Sequence, residues 1–326
     1  MADNVYISSR VRLARNLKDY PFPLRMDDKQ KHEVIERVKA VIPTLSQKLQ
    51  FVELSDLSEN ALVSMVERHL ISPEFAGKKE GRALVVSEDE SVSIMINEED
   101  HLRIQVIMPG LSLEEAYKVA EKIDTELSQK LEFAFDKELG YLTECPTNLG
   151  TGMRASVMMH LAGLAESRSV TRIASNLQKL GFTIRGTYGE GTEAPSCMYQ
   201  LSNQVTLGLS EKTAIDNIMS IAAKLSESEL ATREKLMESM EYQDKISRSL
   251  GILLTARLIS FSEAARLLNN VRMGIAEGII EDVNLDTVDR LMVDIQPASL
   301  MLSEGKSLTP QERDKTRAEL IKKALR

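Results

Sequence analysis

The character of the chain changes near Ser226, and that change constrains the fold more than any other feature. Before it, short apolar alternations interleave with helical periodicities. After it, almost every residue is a helix former, and short polar breaks replace strands. Such a pattern reads as a mixed α+β unit with an antiparallel sheet flanked by helices, followed by an all-helical unit. We place the boundary at 226–240, with residues 5–232 in the first unit and 233–326 in the second. A chain of 326 residues is long enough to give each its own core.

Local patterns refine this picture. Residues 91–108 read as a β-hairpin: Val92, Ile94 and Ile96 alternate with polar residues, a polar turn spans 97–101, and Leu102, Ile104, Val106 and Met108 resume the alternation. Residues 30–50 read as a helix. Residues 112–129 read as another, opened by a capping box of Ser112 and Glu115. Further helices are expected over 154–165 and 170–180, and strands over 131–135, 182–187 and 198–207. Thr309, Pro310 and Glu312 provide an N-cap, a proline at the first helical position and a glutamate at the third, so a last helix starts there.

Bulk properties exclude several classes. A formal net charge of -8 argues against a general nucleic-acid binder. Cys145 and Cys197 are the only cysteines, which leaves no disulfide framework and no cysteine zinc site. The first residues lack a signal-peptide pattern, and no apolar run reaches the length of a membrane span, so a cytoplasmic protein without membrane contact is expected.

Four segments carry chemistry. In 145–157, Gly150 and Gly152 expose backbone N–H groups, and Arg154 with a helix-forming run follows, the layout of an anion cradle at a helix N-terminus. Gly150, Gly152 and Ala155 also fit a loose dinucleotide fingerprint, but Pro146 interrupts the approach. No GK[ST] follows, which excludes a Walker loop. In 8–15, the i, i+2 spacing of Arg10 and Arg12 puts both on one face of an extended segment, where they bind successive phosphates or simply face solvent. The turn 97–103 carries Glu98, Glu99, Asp100 and Arg103, and in isolation it is an ordinary hairpin tip. In 185–193, Arg185 precedes three glycines around Glu190, which suits a lid over an acceptor or a plain surface loop.

These motifs, in this order, resemble the phosphagen (guanidino) kinase family over residues 5 to 210. A guanidinium is protonated at physiological pH, so its phosphorylation needs carboxylates on the acceptor side and cations around the phosphates. The resemblance implies that Arg10, Arg12, Arg103, Arg154 and Arg185 clamp ATP. It adds Ser8, Ser9, Val11, His69, Ala155, Ser156, Val157, Met158, Gly186, Thr187, Tyr188 and Gly189 to the nucleotide site. Glu98, Glu99, Cys145 and Glu190 fall on the acceptor side, with Glu99 and Glu190 catalytic and Glu190 also near the nucleotide. Mg²⁺ is implied through phosphates and water, with no protein ligand named.

Within the family the chain is similar to the bacterial protein-arginine kinases. The Ser8–Arg10 motif lies almost at the first residue, so the N-terminal helical domain of the small-metabolite kinases is not expected. A helical extension follows instead. In its last helix Arg313, Asp314, Arg317 and Ala318 match an RDxxRA motif, which implies an allosteric phosphoarginine pocket, while the bare pattern equally reads as a solvated helix face. Ala162 stands where the family commonly has proline. The resemblance implies ATP-dependent phosphorylation of accessible arginines in proteins. It further implies marking for a Clp chaperone-protease, inactivation of a heat-shock repressor, a small activator protein and a homodimer. A free-arginine kinase and a non-catalytic phosphoarginine-binding adaptor remain open.

Overall fold

The computed structural model describes residues 4–186, 194 and 196–326. Its frame is an eight-stranded antiparallel sheet in the order β2-β3-β4-β5-β1-β8-β10-β9. The strands are β1 (Tyr6–Arg15), β2 (Leu49–Glu53), β3 (Ala83–Ser87), β4 (Val92–Ile96), β5 (Leu102–Pro109), β8 (Met153–His160), β9 (Phe182–Gly186) and β10 (Met198–Asn203). The expected hairpin is β4–β5, with Ile96 opposite Leu102.

Period-two alternation decides what each face does. On one face Val11, Leu13, Ile104, Val106, Ala155, Val157 and Leu201 are buried in the main core. Helices α4 (Leu113–Ser128) and α7 (Glu211–Met237) pack against these strands. The opposite face carries Arg10, Arg12, Arg103, Gln105, Arg154, Ser156, Gln200 and Ser202. At one end, Leu84 and Met95 on this face join a small core with Leu62 and Phe75 of α2 (Glu59–Glu67) and α3 (Pro73–Ala76).

Several expectations are corrected. Residues 154–160 are strand, not helix; only the short α5 (Ala162–Glu166) follows. Ala and Met favour helix weakly, but Met153, Ala155, Val157 and Met159 have strand spacing, and pairing between β1 and β10 overrides propensity. The helix over 30–50 is α1 (Asp28–Val41): Pro43 lacks an N–H and sits in a 3-10 turn, and the chain re-enters the sheet as β2. Residues 131–135 form no strand of their own. Phe133 makes an isolated bridge to Leu17, and β6 (Phe135–Asp136) pairs with β7 (Gly140–Tyr141). β10 ends at Asn203, short of 207. Ser112 is the N-cap of α4 but its Oγ donates to the carbonyl of Pro109, so no capping box forms. The helix at 170–180 (α6, Val170–Lys179) is present.

The C-terminal part is helical: α8 (Met240–Thr255), α9 (Phe261–Ala276), α10 (Leu285–Asp294), α11 (Pro297–Ser303) and α12 (Pro310–Ala324), the last with the Thr309–Glu312 capping box in place. Its core gathers Ile246, Leu253, Leu268, Val271, Leu291 and Ile321. α7 runs without a break through residues 226–237. Two polar joints tie the helices to the sheet unit. In one, fully buried Glu229 and Arg233 pair at 2.7 Å, Glu229 accepts the N–H groups of Gly163 and Leu164, and Arg233 donates to Nδ1 and the carbonyl of His160. In the other, Glu67 of α2 accepts the N–H groups of Ala298 and Ser299 at the start of α11. Among the described residues no helix is long and apolar enough to cross a membrane.

Candidate active site

The polar face of the sheet forms the floor of a cavity of about 510 Å³. Neighbouring strands bring the arginines together. Arg12 stands directly opposite Arg154 across β1–β8, and Arg10 lies opposite Ser156. Arg103 on β5 and Arg185 on β9 share the lining, with His69 at the end of α2. The sequence separates these residues by up to 175 positions; the antiparallel register makes them neighbours.

Little acid offsets this charge. Burial, then Arg103 and Arg154, pulls the Arg10 guanidinium down to about 10. Burial together with Arg10, Arg103 and Arg154 holds Arg12 well below its ordinary value. Arg154 is lowered by burial, then by Arg185 and Arg103. Arg10 donates to Gln200 at 2.7 Å, but the Nε groups of Arg12 and Arg154 are buried without a hydrogen-bond partner. Converging, desolvated cations with unspent donors are a costly arrangement unless a polyanion completes it. Burial, then Arg10, drives the His69 imidazole down to about 4, so it is neutral here.

The acidic turn lies beside the arginines. Glu98 accepts from Arg103 at 2.7 Å and from the Ser72 hydroxyl at 2.6 Å. Burial raises the Glu98 carboxyl, but Arg103, Ser72 and the Glu99 N–H outweigh it and leave it below the usual range. Glu99 is exposed and is raised by burial, then by Asp100 and Glu98. It lines a small recess with Arg12, Arg103, Arg154 and Gly152, and also a second cavity of about 360 Å³ that includes Glu144. A phosphoryl donor on the arginines and an acceptor at Glu99 would therefore meet around Arg103 and Arg154. Cys145 sits nearby, half-buried, its Sγ 3.0 Å from the Thr147 hydroxyl.

The glycines of the 145–157 segment have another reason than an anion cradle. At Gly150 (φ +99°) a Cβ would lie 2.5 Å from the Thr206 carbonyl, and at Gly152 (φ +62°) 2.7 Å from that of Ala14. They permit backbones to pass at close range and lead into a strand, not a helix N-terminus.

Residues 33–232 match the family described as ATP:guanido phosphotransferase, C-terminal catalytic domain. The chain belongs to the ATP:guanido phosphotransferase family. Residues 239–326 match the family described as the protein-arginine kinase McsB C-terminal domain. The protein-arginine kinase of Halothermothrix orenii is 47% identical over 325 residues, covering 99% of this chain and 93% of that one. That of Symbiobacterium thermophilum is 45% identical over 329 residues, with 99% and 93% covered. Among solved structures, the duplicated taurocyamine kinase from Schistosoma mansoni, with bound transition state analog components, superposes with a TM-score of 0.65 at 27% identity. It covers 78% of this chain, which spans 39% of that duplicated one. Lombricine kinase (TM-score 0.62, 24% identity, 70% and 67% covered) shares the fold.

On this guanido phosphotransferase fold the expected site residues separate cleanly. Arg10, Arg12, His69, Arg103, Arg154, Met158, Arg185 and Gly186 line the large cavity. Ser8 and Ser156 line a smaller adjoining one. Strand alternation turns the side chains of Ser9, Val11, Ala155 and Val157 away from the large cavity, Val11, Ala155 and Val157 into the core and Ser9 onto the carbonyl of Gly110. Thr187, Tyr188, Gly189 and Glu190 lie outside the described residues. Gln105, Thr183, Gln200, Ser202 and Gln296 line the cavity and escaped the sequence reading, because uncharged polar residues give no motif. Once β8 and β10 are read as strands, period two picks out Gln200 and Ser202.

The RDxxRA residues of α12 are largely engaged with the helical unit. Arg317 is buried; its Nε donates to Ile295 and its Nη1 to Ile259, both at 2.8 Å, while Asp314 pairs with it at 2.7 Å. Ala318 is in the helical core, and Arg313 donates to the Leu308 carbonyl. Arg317 thus stitches α12 to the loops before α9 and after α10. Among the described residues no cluster of three or more His, Cys, Asp or Glu is arranged to hold a metal ion.

Proposed function

We propose that this chain transfers the γ-phosphoryl group of ATP to arginine side chains of proteins. The observation that carries the reading is the juxtaposition of unspent arginine donors with Glu99, on a chain whose family transfers phosphoryl groups to guanidino acceptors. The identity to protein-arginine kinases over nearly the whole chain supports a protein-borne acceptor.

Arg10, Arg12, Arg103, Arg154 and Arg185 receive the triphosphate and the charge that spreads over the γ-phosphoryl oxygens in flight. Orphaned Nε groups on Arg12 and Arg154 fit that demand, since a phosphate restores the hydrogen bonds they lack. Mg²⁺, bound to phosphate oxygens and water, would supply further charge neutralisation. Glu99 holds the acceptor guanidinium and takes its proton, and its raised basicity suits that task. Glu190 is proposed as its partner from the segment that follows Arg185. Cys145 borders the acceptor.

We further propose two functional units, 5–232 and 233–326, in a cytoplasmic protein. The Arg313, Asp314, Arg317 and Ala318 group is proposed to bind phosphoarginine, with the Arg317–Asp314 pair as its preformed element. Family analogy adds a homodimer, a small activator protein, marking of substrates for a Clp chaperone-protease and control of a heat-shock repressor.

Incubation with Mg·ATP, with a partly unfolded protein and free arginine offered in parallel, tests the central claim. Mass spectrometry at neutral to mildly basic pH preserves the acid-labile P–N bond. Phosphoarginine on protein alone is the expected result. Phosphate on free arginine alone moves the chain to the metabolite kinases, and phosphate on neither points to a missing activator or a binding protein.

A further inference from the structure

The cavity of about 360 Å³ on the acceptor side contains a carboxylate with no assigned role, that of Glu144. Its position follows from a polar staple. Asn16 donates through Nδ2 to Asp100 Oδ1 (2.6 Å) and to the Leu142 carbonyl (2.9 Å), and its Oδ1 accepts the His101 N–H (2.9 Å). Asp100 Oδ1 also accepts the Glu144 N–H at 2.9 Å. One buried asparagine and one buried aspartate therefore lock the Glu99 turn against the segment that ends in Glu144 and Cys145.

The other carboxylates of the lining are differently placed. Glu98 is committed to Arg103 and Ser72, and Glu80 is exposed on the rim. Of the cations, Arg82 is spent on the carbonyls of Glu74, Phe75 and Asn97, and Lys31 lies 4.0 Å from Asp28, while Lys78 is exposed. Burial, the largest effect, raises the Glu144 carboxyl and the Glu99 charge adds to it, against the lowering influence of the Leu24 backbone N–H. Arg25 partly offsets this at Glu144, as Arg103 and Arg154 do at Glu99, yet both carboxyls stay raised, so a further cation between them is favoured. A second cue comes from Asn97 on the same wall. It is 2% exposed, and its Oδ1 has no hydrogen-bond partner, so the wall carries an acceptor still to be satisfied.

We propose that Glu144 is a further acceptor-side positioning residue, receiving the guanidinium of the target arginine together with Glu99. This rests on the protein-arginine kinase reading above. Glu99 takes the proton, and Glu144 fixes which nitrogen faces the phosphoryl group. A planar guanidinium presents donors on more than one edge, so two carboxylates from different segments orient it better than one.

The test compares wild type, Glu144→Gln and Glu144→Asp. Glutamine keeps the size and a side-chain oxygen and removes the charge. Calorimetry reads binding of a short peptide bearing one arginine against the same peptide with neutral citrulline, and steady-state assays read KM for peptide and for ATP. Glu144→Gln is expected to shrink the arginine-over-citrulline preference about tenfold and raise peptide KM by a similar factor, with ATP KM unchanged. Glu144→Asp recovers part of both. An undiminished preference in Glu144→Gln overturns the proposal, as does a parallel loss in ATP KM and unfolding midpoint. If wild type phosphorylates no arginine, the underlying reading fails, yet the arginine–citrulline comparison still decides whether Glu144 holds a guanidinium. A wild type without that preference refutes it.

Discussion

Arg103 donates to Glu98 at 2.7 Å, while Glu99, the next residue, has no ion pair among the described residues and Asp100 is held by Asn16 and the Glu144 N–H. On the proposed reading the two adjacent glutamates have different tasks: Glu98 anchors a phosphate-side arginine, and Glu99 faces the acceptor. Replacing each in turn separates them. Glu99→Gln is expected to lower kcat by about a thousandfold with ATP affinity nearly intact, whereas Glu98→Gln weakens ATP binding by releasing Arg103. Single-turnover kinetics with nucleotide titration checks both, and wild-type turnover in Glu99→Gln would sink the role assigned to it.

The arginine cluster trades stability for binding. Burial and three like charges hold Arg12 well below its ordinary value, so its charged form is disfavoured in the folded chain. Arg12→Met is expected to raise the apo Tm by about 2 °C while weakening ATP by about a hundredfold or more. Thermal scans with and without nucleotide measure both effects, and a lower apo Tm would contradict the account.

Acidification should loosen the fold because buried histidines resist protonation. His101 is buried, accepts the Leu17 N–H and contacts the Pro21 carbonyl, and burial lowers it to about 4, as with His69. The folded value lies below the unfolded one, so between about pH 6.5 and 4 the unfolded chain binds protons that the native chain does not. Stability then falls as pH drops through that window, with His101 contributing up to about 3 kcal/mol. Urea midpoints at several pH values should show the slope, and His101→Gln should flatten it.

Glu229 and Arg233 form a fully buried pair at the joint between sheet and helices. Arg233→Met leaves that carboxylate without its cation and is expected to cost about 3–5 kcal/mol. Adding Glu229→Gln should return much of it. A double variant no more stable than the single one would show that the arginine acts through His160 and Asn4 instead.

Arg317 and Arg313 should behave differently although they belong to one motif. Arg317→Ala removes two hydrogen bonds to carbonyls and the pair with Asp314, a loss of about 2–4 kcal/mol. Arg313→Ala is expected to change stability by under about 0.5 kcal/mol. It is therefore the cleaner probe of phosphoarginine binding, and calorimetry with phosphoarginine on that variant gives the answer.

The sequence by itself determined the chemistry of the chain and much of its plan. The alternation in 92–108 prescribed the hairpin, Thr309–Glu312 prescribed the start of the last helix, and the order of the arginine and glutamate motifs carried the family resemblance. Those signals are local: a strand, a cap and a charged motif each depend on a few neighbouring residues. What needed the tertiary structure was everything set by pairing and burial. β8 is a strand because β1 and β10 hold it, against the mild helix preference of its alanine and methionines. Gly150 and Gly152 serve the backbones of Thr206 and Ala14, which are remote or unmarked in sequence. Arg317 looks like a surface cation by its helical spacing, yet packing against Ile259 and Ile295 turns it inward. Glu144 carries no motif, and only the Asn16–Asp100 staple reveals that it shares a cavity with Glu99. Local periodicity is written along the chain, but which side chains meet is decided by register and close packing between segments far apart in it.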